Sequence, residues 1–371
     1  MKKICIITNI PSPYRVDLFN YLIENFKEYN FEIIYSSVSE DDRGWNLDSN
    51  KLKNSHFLKS RSIVIKEKLD NKHIHFSFEI KKCLKKYNPD VIIGCEYNPI
   101  SIVAYTWAKL NNKKYISWSD GTLNSEKNIN ILQKIIRKII CGNSNALIAS
   151  SSKTKEAQIA YGADKNNIYL SYLTVDIHKY LTKKCEKKYE ENLGKLLFVG
   201  RLSYTKGVDL LLNALSKIDC KYLLTIVGDG EERKKLEKLS CDLGIKDKVN
   251  FVGFKSNNEL KSIYNENNIF ILPSRCDCFG LVILEAMCNS MQIISSKYAD
   301  GAYDLIKDGE NGYIVDIYNE EELINILKNS LKNPKLVKEM GEKSQSLVYK
   351  FDFKNVSSEI IKAIRRVVID E

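Results

Sequence analysis

Asp277 and Glu285 are the carboxylates whose setting points most clearly to ligand chemistry. They lie in the stretch Pro273-Ser274-Arg275-Cys276-Asp277-Cys278-Phe279-Gly280-Leu281-Val282-Ile283-Leu284-Glu285-Ala286-Met287. A short apolar strand over Ile269 to Leu272 leads into it, and its second half reads as a helix. Eight helical residues rise about 12 Å and rotate by roughly 80°, so both acids fall on one half of the helix surface. Glu285 is surrounded in sequence by Leu281, Val282, Leu284, Ala286 and Met287. A carboxylate on so apolar a helix must reach water or a partner. Gly280 lets a ligand approach the backbone, and the free N–H groups of the first turn favour an anion. The pattern suits an extended polar ligand with an anionic middle, hydroxyls held by an acid at each end. It also reads as an N-cap Asp and a rim Glu.

A cationic counterpart stands earlier, in Phe198-Val199-Gly200-Arg201-Leu202-Ser203-Tyr204-Thr205-Lys206-Gly207-Val208-Asp209. Arg201 leaves the carboxyl end of a strand, and Lys206-Gly207 stands where the next helix begins. Arg offers a fork and Lys a point charge, a combination that grips phosphate beside a helix N-terminus. Alone, such a pair is also ordinary surface charge. Val227-Gly228-Asp229-Gly230 repeats the strand-to-glycine turn one unit later. It fits neither GxGxxG with an acidic ribose ligand nor the Walker pattern, which argues against NAD binding and P-loop chemistry.

Strands and helices alternate to position these residues. The first half gives a strand over Ile4 to Thr8, the turn Asn9-Ile10-Pro11-Ser12-Pro13, a helix through Phe26 and a strand over Phe31 to Tyr35. Residues 40–62 read as a long loop with a short strand, and a helix is expected from about Phe76 to Lys86. Strands follow at Val91 to Gly94, Tyr115 to Trp118 and Ala146 to Ala149, with helices opened by Pro99, over Ile131 to Ile140 and near Ser152. Residues 181–194 are charged and without apolar period, a linker. The alternation then restarts with strands at Leu196 to Val199, Leu223 to Val227, Val249 to Val252, Ile269 to Leu272 and Gln292 to Ser295, followed by a final helical stretch. The expected organisation is α/β: a Rossmann-like domain over 1–180, the linker, and a second over 195–354. The helix patterned from Asn355 to Val368 lies on either domain, and 355–371 packing back on the first is one arrangement. Two doubly wound sheets place ligands at the carboxyl ends of their strands, here in a cleft between the domains.

Composition narrows the class. The 371 residues exceed one ordinary core. The start Met1-Lys2-Lys3 runs directly into a strand with no signal-peptide pattern, and no apolar run reaches the roughly 18 residues of a membrane span. Ten cysteines show no disulfide-like spacing; Cys276 and Cys278 form a CxC with no second pair, so a reducing, cytoplasmic setting is expected. The net charge of +10 is uneven: residues 1–180 carry 27 Lys+Arg against 18 Asp+Glu, and the remainder 30 against 29. A basic first half suits an anionic surface or substrate; the Lys, Asn and Ile bias of an AT-rich genome gives the same count. Ile131, Leu132, Ile135, Ile136, Ile139 and Ile140 form an apolar stripe edged by Lys134, Arg137 and Lys138. It reads as a helix packed on the sheet, or as a surface helix resting on anionic lipid, peripheral to a membrane. His73 and His75 approach a helix with no acid or Cys at ligand spacing, and His178 reads as structural. No nucleic-acid module is present.

Together these motifs resemble the family 4 retaining glycosyltransferases (glycosyltransferase group 1), which have the GT-B fold of two facing Rossmann-like domains. The resemblance rests on Gly200-Arg201-Leu202, Lys206-Gly207, Val227-Gly228-Asp229-Gly230, Asn250-Phe251-Val252-Gly253-Phe254, Pro273-Ser274 through Glu285-Ala286-Met287, and Asp308-Gly309-Glu310-Asn311-Gly312-Tyr313. It is strong from about 195 to 320 and a matter of layout before that. It implies transfer of a sugar from a nucleotide diphosphate sugar to a saccharide or lipid-linked acceptor with retention, in bacterial cell-surface polysaccharide or glycolipid assembly. Arg201 and Lys206 would take the diphosphate and Glu285 the ribose hydroxyls. Asp277 would reach the donor sugar with the N–H groups of Phe279, Gly280 and Leu281, and Gly253-Phe254 would border the base. Gly200 and Gly228 complete the donor set. No bound metal or other cofactor is implied.

Three departures stand out. Asp277 replaces the family's usual Glu, one methylene longer. Pro11-Ser12-Pro13-Tyr14-Arg15 replaces a glycine-rich first loop, which offers Arg15 for a phosphate contact. Ser119-Asp120-Gly121-Thr122 stands where many relatives place a His, making Asp120 the acceptor-side candidate or else a turn residue before Gly. A nucleotide-sugar epimerase, a phosphorylase and a non-catalytic sugar-nucleotide binder are the alternatives on the same fold.

Overall fold

The apolar runs Val91–Cys95, Ala146–Ala149 and Ile269–Leu272 are buried from end to end, as parallel strands covered on both faces must be. The computed structural model describes residues 1–39, 51–65, 72–182, 189 and 194–369. It divides into two units, Met1–Asp176 with Phe351–Glu371, and Ile177–Lys350. Most of the expected linker at 181–194 lies outside the described residues.

In the first unit the strands are β1 (Lys2–Thr8), β2 (Tyr29–Tyr35), β3 (Ser55–Phe57), β4 (Arg61–Ile65), β5 (Lys72–Phe76), β6 (Val91–Cys95), β7 (Lys114–Ser119), β8 (Ala146–Ala149) and β9 (Ile168–Leu170). Seven of them form a parallel sheet in the order β3-β2-β1-β6-β7-β8-β9, with Ile4 level with both Phe31 and Val91. The strand order turns back between β1 and β6, which makes the carboxyl ends of those strands the natural ligand position. One sheet face is covered by the helices Pro13–Asn25 and Phe353–Ile369, the latter supplying Ile360, Ile361 and Ile364 to the core. The other carries Glu79–Tyr87, Pro99–Leu110 and Ile131–Asn143.

The region before the second helix corrects the sequence reading. The helix expected from Phe76 begins at Glu79, and Lys72–Phe76 pairs antiparallel with Arg61–Ile65 as a separate hairpin. His73 and His75 are therefore strand residues, and His75 Nδ1 shares a 2.7 Å hydrogen bond with Ser62 Oγ. The alternation Lys-His-Ile-His-Phe has the period of a strand.

The second unit contains β10 (Lys195–Val199), β11 (Leu223–Val227), β12 (Val249–Gly253), β13 (Ile269–Leu272), β14 (Gln292–Ser296) and β15 (Gly312–Val315). Its parallel sheet runs β12-β11-β10-β13-β14-β15 and reverses between β10 and β13. Arg201 follows the first of these strands and Asp277 the second. What reads as one final helical stretch resolves into the helices Ala302–Leu305, Glu320–Lys332 and Pro334–Leu347, with β15 among them. Among the described residues no helix is long and apolar enough to cross a membrane.

Candidate active site

In the second unit, three loops beyond the carboxyl ends of β10, β11 and β13 press their backbones together. A Cβ on Gly228 would stand 1.9 Å from the Gly200 carbonyl oxygen, and one on Gly207 2.0 Å from that of Pro273. Both glycines also have positive φ, 127° and 66°, so no other residue fits either place without moving a neighbouring loop. The 200–207 and 273–280 loops are joined by side chains as well. Arg275 forks onto Asp209 at 2.8 and 2.6 Å, donates to the Tyr204 carbonyl at 2.7 Å and lies 4.0 Å from the centre of the Tyr204 ring. Its own N–H donates to the Thr205 carbonyl at 2.7 Å.

This join brings Lys206 against Asp277. The ammonium Nζ is 2.5 Å from Asp277 Oδ2, while Oδ1 accepts the Phe279 N–H at 3.1 Å. Burial pushes the Asp277 carboxyl up, but the Lys206 charge and the N–H groups of Phe279 and Gly280 outweigh it and hold the acid below its ordinary range. Asp277 is not an N-cap: Gly280, at φ 77°, takes that place for the helix Leu281–Cys288. The acid is fixed from outside that helix, its N–H on the Tyr298 carbonyl and its carbonyl on the Asp300 N–H.

Glu285 lies on the same helix, half-buried, where its Oε2 accepts the Tyr264 hydroxyl at 2.8 Å. Burial raises this acid to about 7, against the opposing effect of the Tyr264 and Tyr180 hydroxyls. Its sequence neighbours are apolar because the rest of the helix is core: Ile283, Leu284, Ala286 and Met287 are fully buried. The other residues expected on the donor side follow strands of the same sheet. Gly200 and Arg201 follow β10, Gly228 follows β11 and donates its N–H to Gly253 at the end of β12, and Phe254 projects into solvent with 68% of its surface exposed. Phe279 is buried, and Leu281 opens the helix.

The first unit gathers the other candidates at its own strand reversal. Pro13 and Tyr14 start the helix Pro13–Asn25. Arg15 turns inward: it is 4% exposed, lies 4.2 Å from the Trp118 ring centre and donates through Nη2 to both Asp120 oxygens, at 2.7 and 2.9 Å. The Ser150 hydroxyl also bonds Asp120. Arg15 is therefore the partner of Asp120 rather than a solvent-facing cation. Asp120 keeps a quarter of its side chain exposed.

Sequence reasoning missed Arg275, Tyr264 and Glu96. Arg275 was in view within the Pro273 to Met287 stretch, but nothing local reveals its partner Asp209, 66 positions away. Glu96 follows β6 directly, so its place at a strand end was the available signal. Among the described residues, no group of three or more His, Cys, Asp or Glu is arranged to hold a metal ion.

Residues 181–347 match the family model described as glycosyl transferases group 1. An uncharacterized glycosyltransferase of Haemophilus influenzae is 32% identical over 167 residues, covering 44% of this chain and 47% of that protein. The Campylobacter jejuni GalNAc-alpha-(1->4)-GalNAc-alpha-(1->3)-diNAcBac-PP-undecaprenol alpha-1,4-N-acetyl-D-galactosaminyltransferase is 32% identical over 182 residues, covering 48% and 49%. The chain thus spans about half the length of the curated relatives it matches. Over its whole length it superposes on Anabaena Alr3699/HepE in complex with UDP, with a TM-score of 0.80 at 18% identity, covering 98% of this chain and 99% of the other. The fold is GT-B.

Proposed function

We propose that this chain is a retaining glycosyltransferase of family 4, moving a sugar from a nucleotide diphosphate sugar to an acceptor hydroxyl. The observation that carries the reading is the Lys206–Asp277 contact at the β10/β13 strand reversal. A cation and an acid meet there at the mouth of a helix, the place where an anionic group and its attached polyol would be held together.

In this reading the donor's diphosphate takes Lys206 from Asp277 and is met from the other side by Arg201. The two cations then stabilise charge growing on the leaving nucleoside diphosphate. Asp277, released, accepts hydroxyls of the transferred sugar, and the N–H groups of Phe279, Gly280 and Leu281 face the same group. Glu285 accepts ribose hydroxyls, and Gly253 and Phe254 border the base. The anomeric carbon–phosphate oxygen bond breaks as the bond to the acceptor oxygen forms on the same face. The acceptor's proton passes to the departing phosphate oxygen, so no covalent nucleophile is required. Asp120 orients the acceptor hydroxyl. Charge neutralisation by Arg201 and Lys206 makes the reaction independent of a resident metal. UDP-sugars are the first donors to test, because the Anabaena structure was obtained with UDP.

A saccharide or lipid-linked acceptor, in bacterial cell-surface polysaccharide or glycolipid assembly, fits the surface of the first unit. The helix Ile131–Asn143 exposes Ile131, Leu132, Ile135 and Ile139 within about 100° of arc, beside Lys134 and Lys138. Apolar side chains flanked by lysines suit the headgroup region of an anionic membrane, where such an acceptor would reside. The assignment is tested by incubating the protein with a panel of UDP- and GDP-sugars and simple glycosides, reading the anomeric configuration of product by proton NMR. An α-linked product from an α-linked donor is expected; an inverted product, or turnover only with free phosphate, contradicts it.

A further inference from the structure

We infer that Glu96 is the positioning residue for the Asp120 loop: its carboxyl holds the loop after β7 in the orientation that presents Asp120 to an acceptor. The inference deepens the reading above and rests on the acceptor-side role given there to Asp120. Glu96 is the first residue after β6 and has φ 62°, a left-handed conformation that residues with side chains rarely adopt. Such a conformation persists only where the surroundings over-determine it, and here they do. The Glu96 N–H donates to the Trp118 carbonyl at 2.7 Å, while Oε1 accepts the Asp120 N–H at 2.7 Å and Oε2 accepts the Ser119 hydroxyl at 3.2 Å. Ser119 Oγ in turn accepts the Gly121 N–H at 3.0 Å. One side chain therefore fixes three consecutive residues of a neighbouring loop.

The opposite side of that loop is fixed too. A Cβ on Gly121 would stand 2.7 Å from Glu126 Oε1, and Glu126 is held by Arg137 at 2.6 and 2.8 Å. Arg15 and the Ser150 hydroxyl take the Asp120 carboxylate, and Thr154 Oγ1 donates to its carbonyl at 3.2 Å. Without Glu96 the loop keeps those anchors but loses the acceptors of the Asp120 N–H and the Ser119 hydroxyl. The charged groups around Glu96 are Asp120, Arg15 and Glu126. Burial, with Asp120 adding to it, raises the Glu96 acid above its ordinary value. A glutamine keeps an accepting oxygen for the Asp120 N–H and can donate its NH2 to Ser119 Oγ, so Glu96→Gln should serve in its place.

The test compares wild type with Glu96→Gln, Glu96→Ala and Glu96→Gly, using UDP-sugars and simple glycosides for kinetics and amide hydrogen exchange across residues 118–123. In Glu96→Ala, exchange at 119–121 should rise about tenfold or more. Its kcat should fall about ten- to hundredfold while donor KM stays within about threefold. Glu96→Gln should match wild type in both. Glu96→Gly relieves the backbone and so keeps the melting temperature, yet it should lose kcat as the alanine variant does. Unchanged exchange in Glu96→Ala and Glu96→Gly overturns the brace, whether or not transfer is measurable. Loosened exchange with unaltered kcat, or equal loss of donor affinity, overturns the positioning role. Loosened exchange in Glu96→Ala and Glu96→Gly, with a wild-type protein that turns over no nucleotide sugar, supports the brace and overturns the glycosyl-transfer reading instead.

Discussion

The Lys206 ammonium rests 2.5 Å from an Asp277 oxygen, and the other oxygen of that carboxylate accepts the Phe279 N–H. Cation, acid and helix mouth thus satisfy one another, and in the proposed reading a diphosphate displaces Asp277 from Lys206. The two residues should therefore separate by phenotype. Asp277→Asn leaves Lys206 without its resident counter-charge. It should bind nucleoside diphosphate at least as tightly as wild type while transfer falls about a hundredfold, because the sugar contact is weakened. Isothermal titration with UDP and a transfer assay distinguish the two effects.

Glu285 should make stability depend on pH near neutrality. Its acid is raised to about 7 in the folded chain from an ordinary value of 4.5. A raised carboxyl stabilises the fold fully below the unfolded value, and that contribution is lost as pH climbs through the folded one. Wild type should thus lose stability between about pH 5 and pH 8, by about 1 to 3 kcal/mol. Glu285→Gln should show a flatter profile. Urea denaturation at pH 5, 6.5 and 8 measures both slopes.

Arg275 should matter to both fold and site. Its guanidinium is nearly buried on Asp209, which keeps a third of its own surface. Arg275→Ala should lower stability by about 2 kcal/mol, below the range for fully buried pairs because Asp209 can be hydrated. It should also lower transfer, since the loop bearing Lys206 loses its join to the loop bearing Asp277. Arg275→Lys restores the charge without the fork and should recover little. Chemical denaturation and kcat measured on the same preparations check this.

Ile135→Lys and Ile139→Lys should cut binding to vesicles containing anionic lipid by about tenfold each, leaving the fold intact, because both residues are already exposed. Wild-type protein should bind phosphatidylglycerol vesicles and not neutral ones, and raised salt should weaken the association. Co-sedimentation reads all three.

Much of the architecture is legible in the chain because β6, β8 and β13 are short, wholly apolar runs bounded by turn residues. The carboxyl ends of the strands in the second unit then mark Lys206 and Asp277 as neighbours, and their side chains meet. The hairpin β4–β5 is harder to see: its first strand is exposed along its length, so no core-facing period distinguishes it from loop. The Arg275–Asp209 join and the Glu96 contacts are invisible for another reason. Each links residues far apart in sequence, and a charged side chain gives no sign of its partner until the sheet order brings the loops together.

The most direct measurement is calorimetric binding of UDP and GDP to wild type, Lys206→Ala and Arg201→Ala. The account predicts saturable binding of at least one nucleoside diphosphate by wild type, weakened about tenfold or more in each variant with little change in melting temperature. Binding that both variants retain at full strength would contradict the placement of the diphosphate on Arg201 and Lys206.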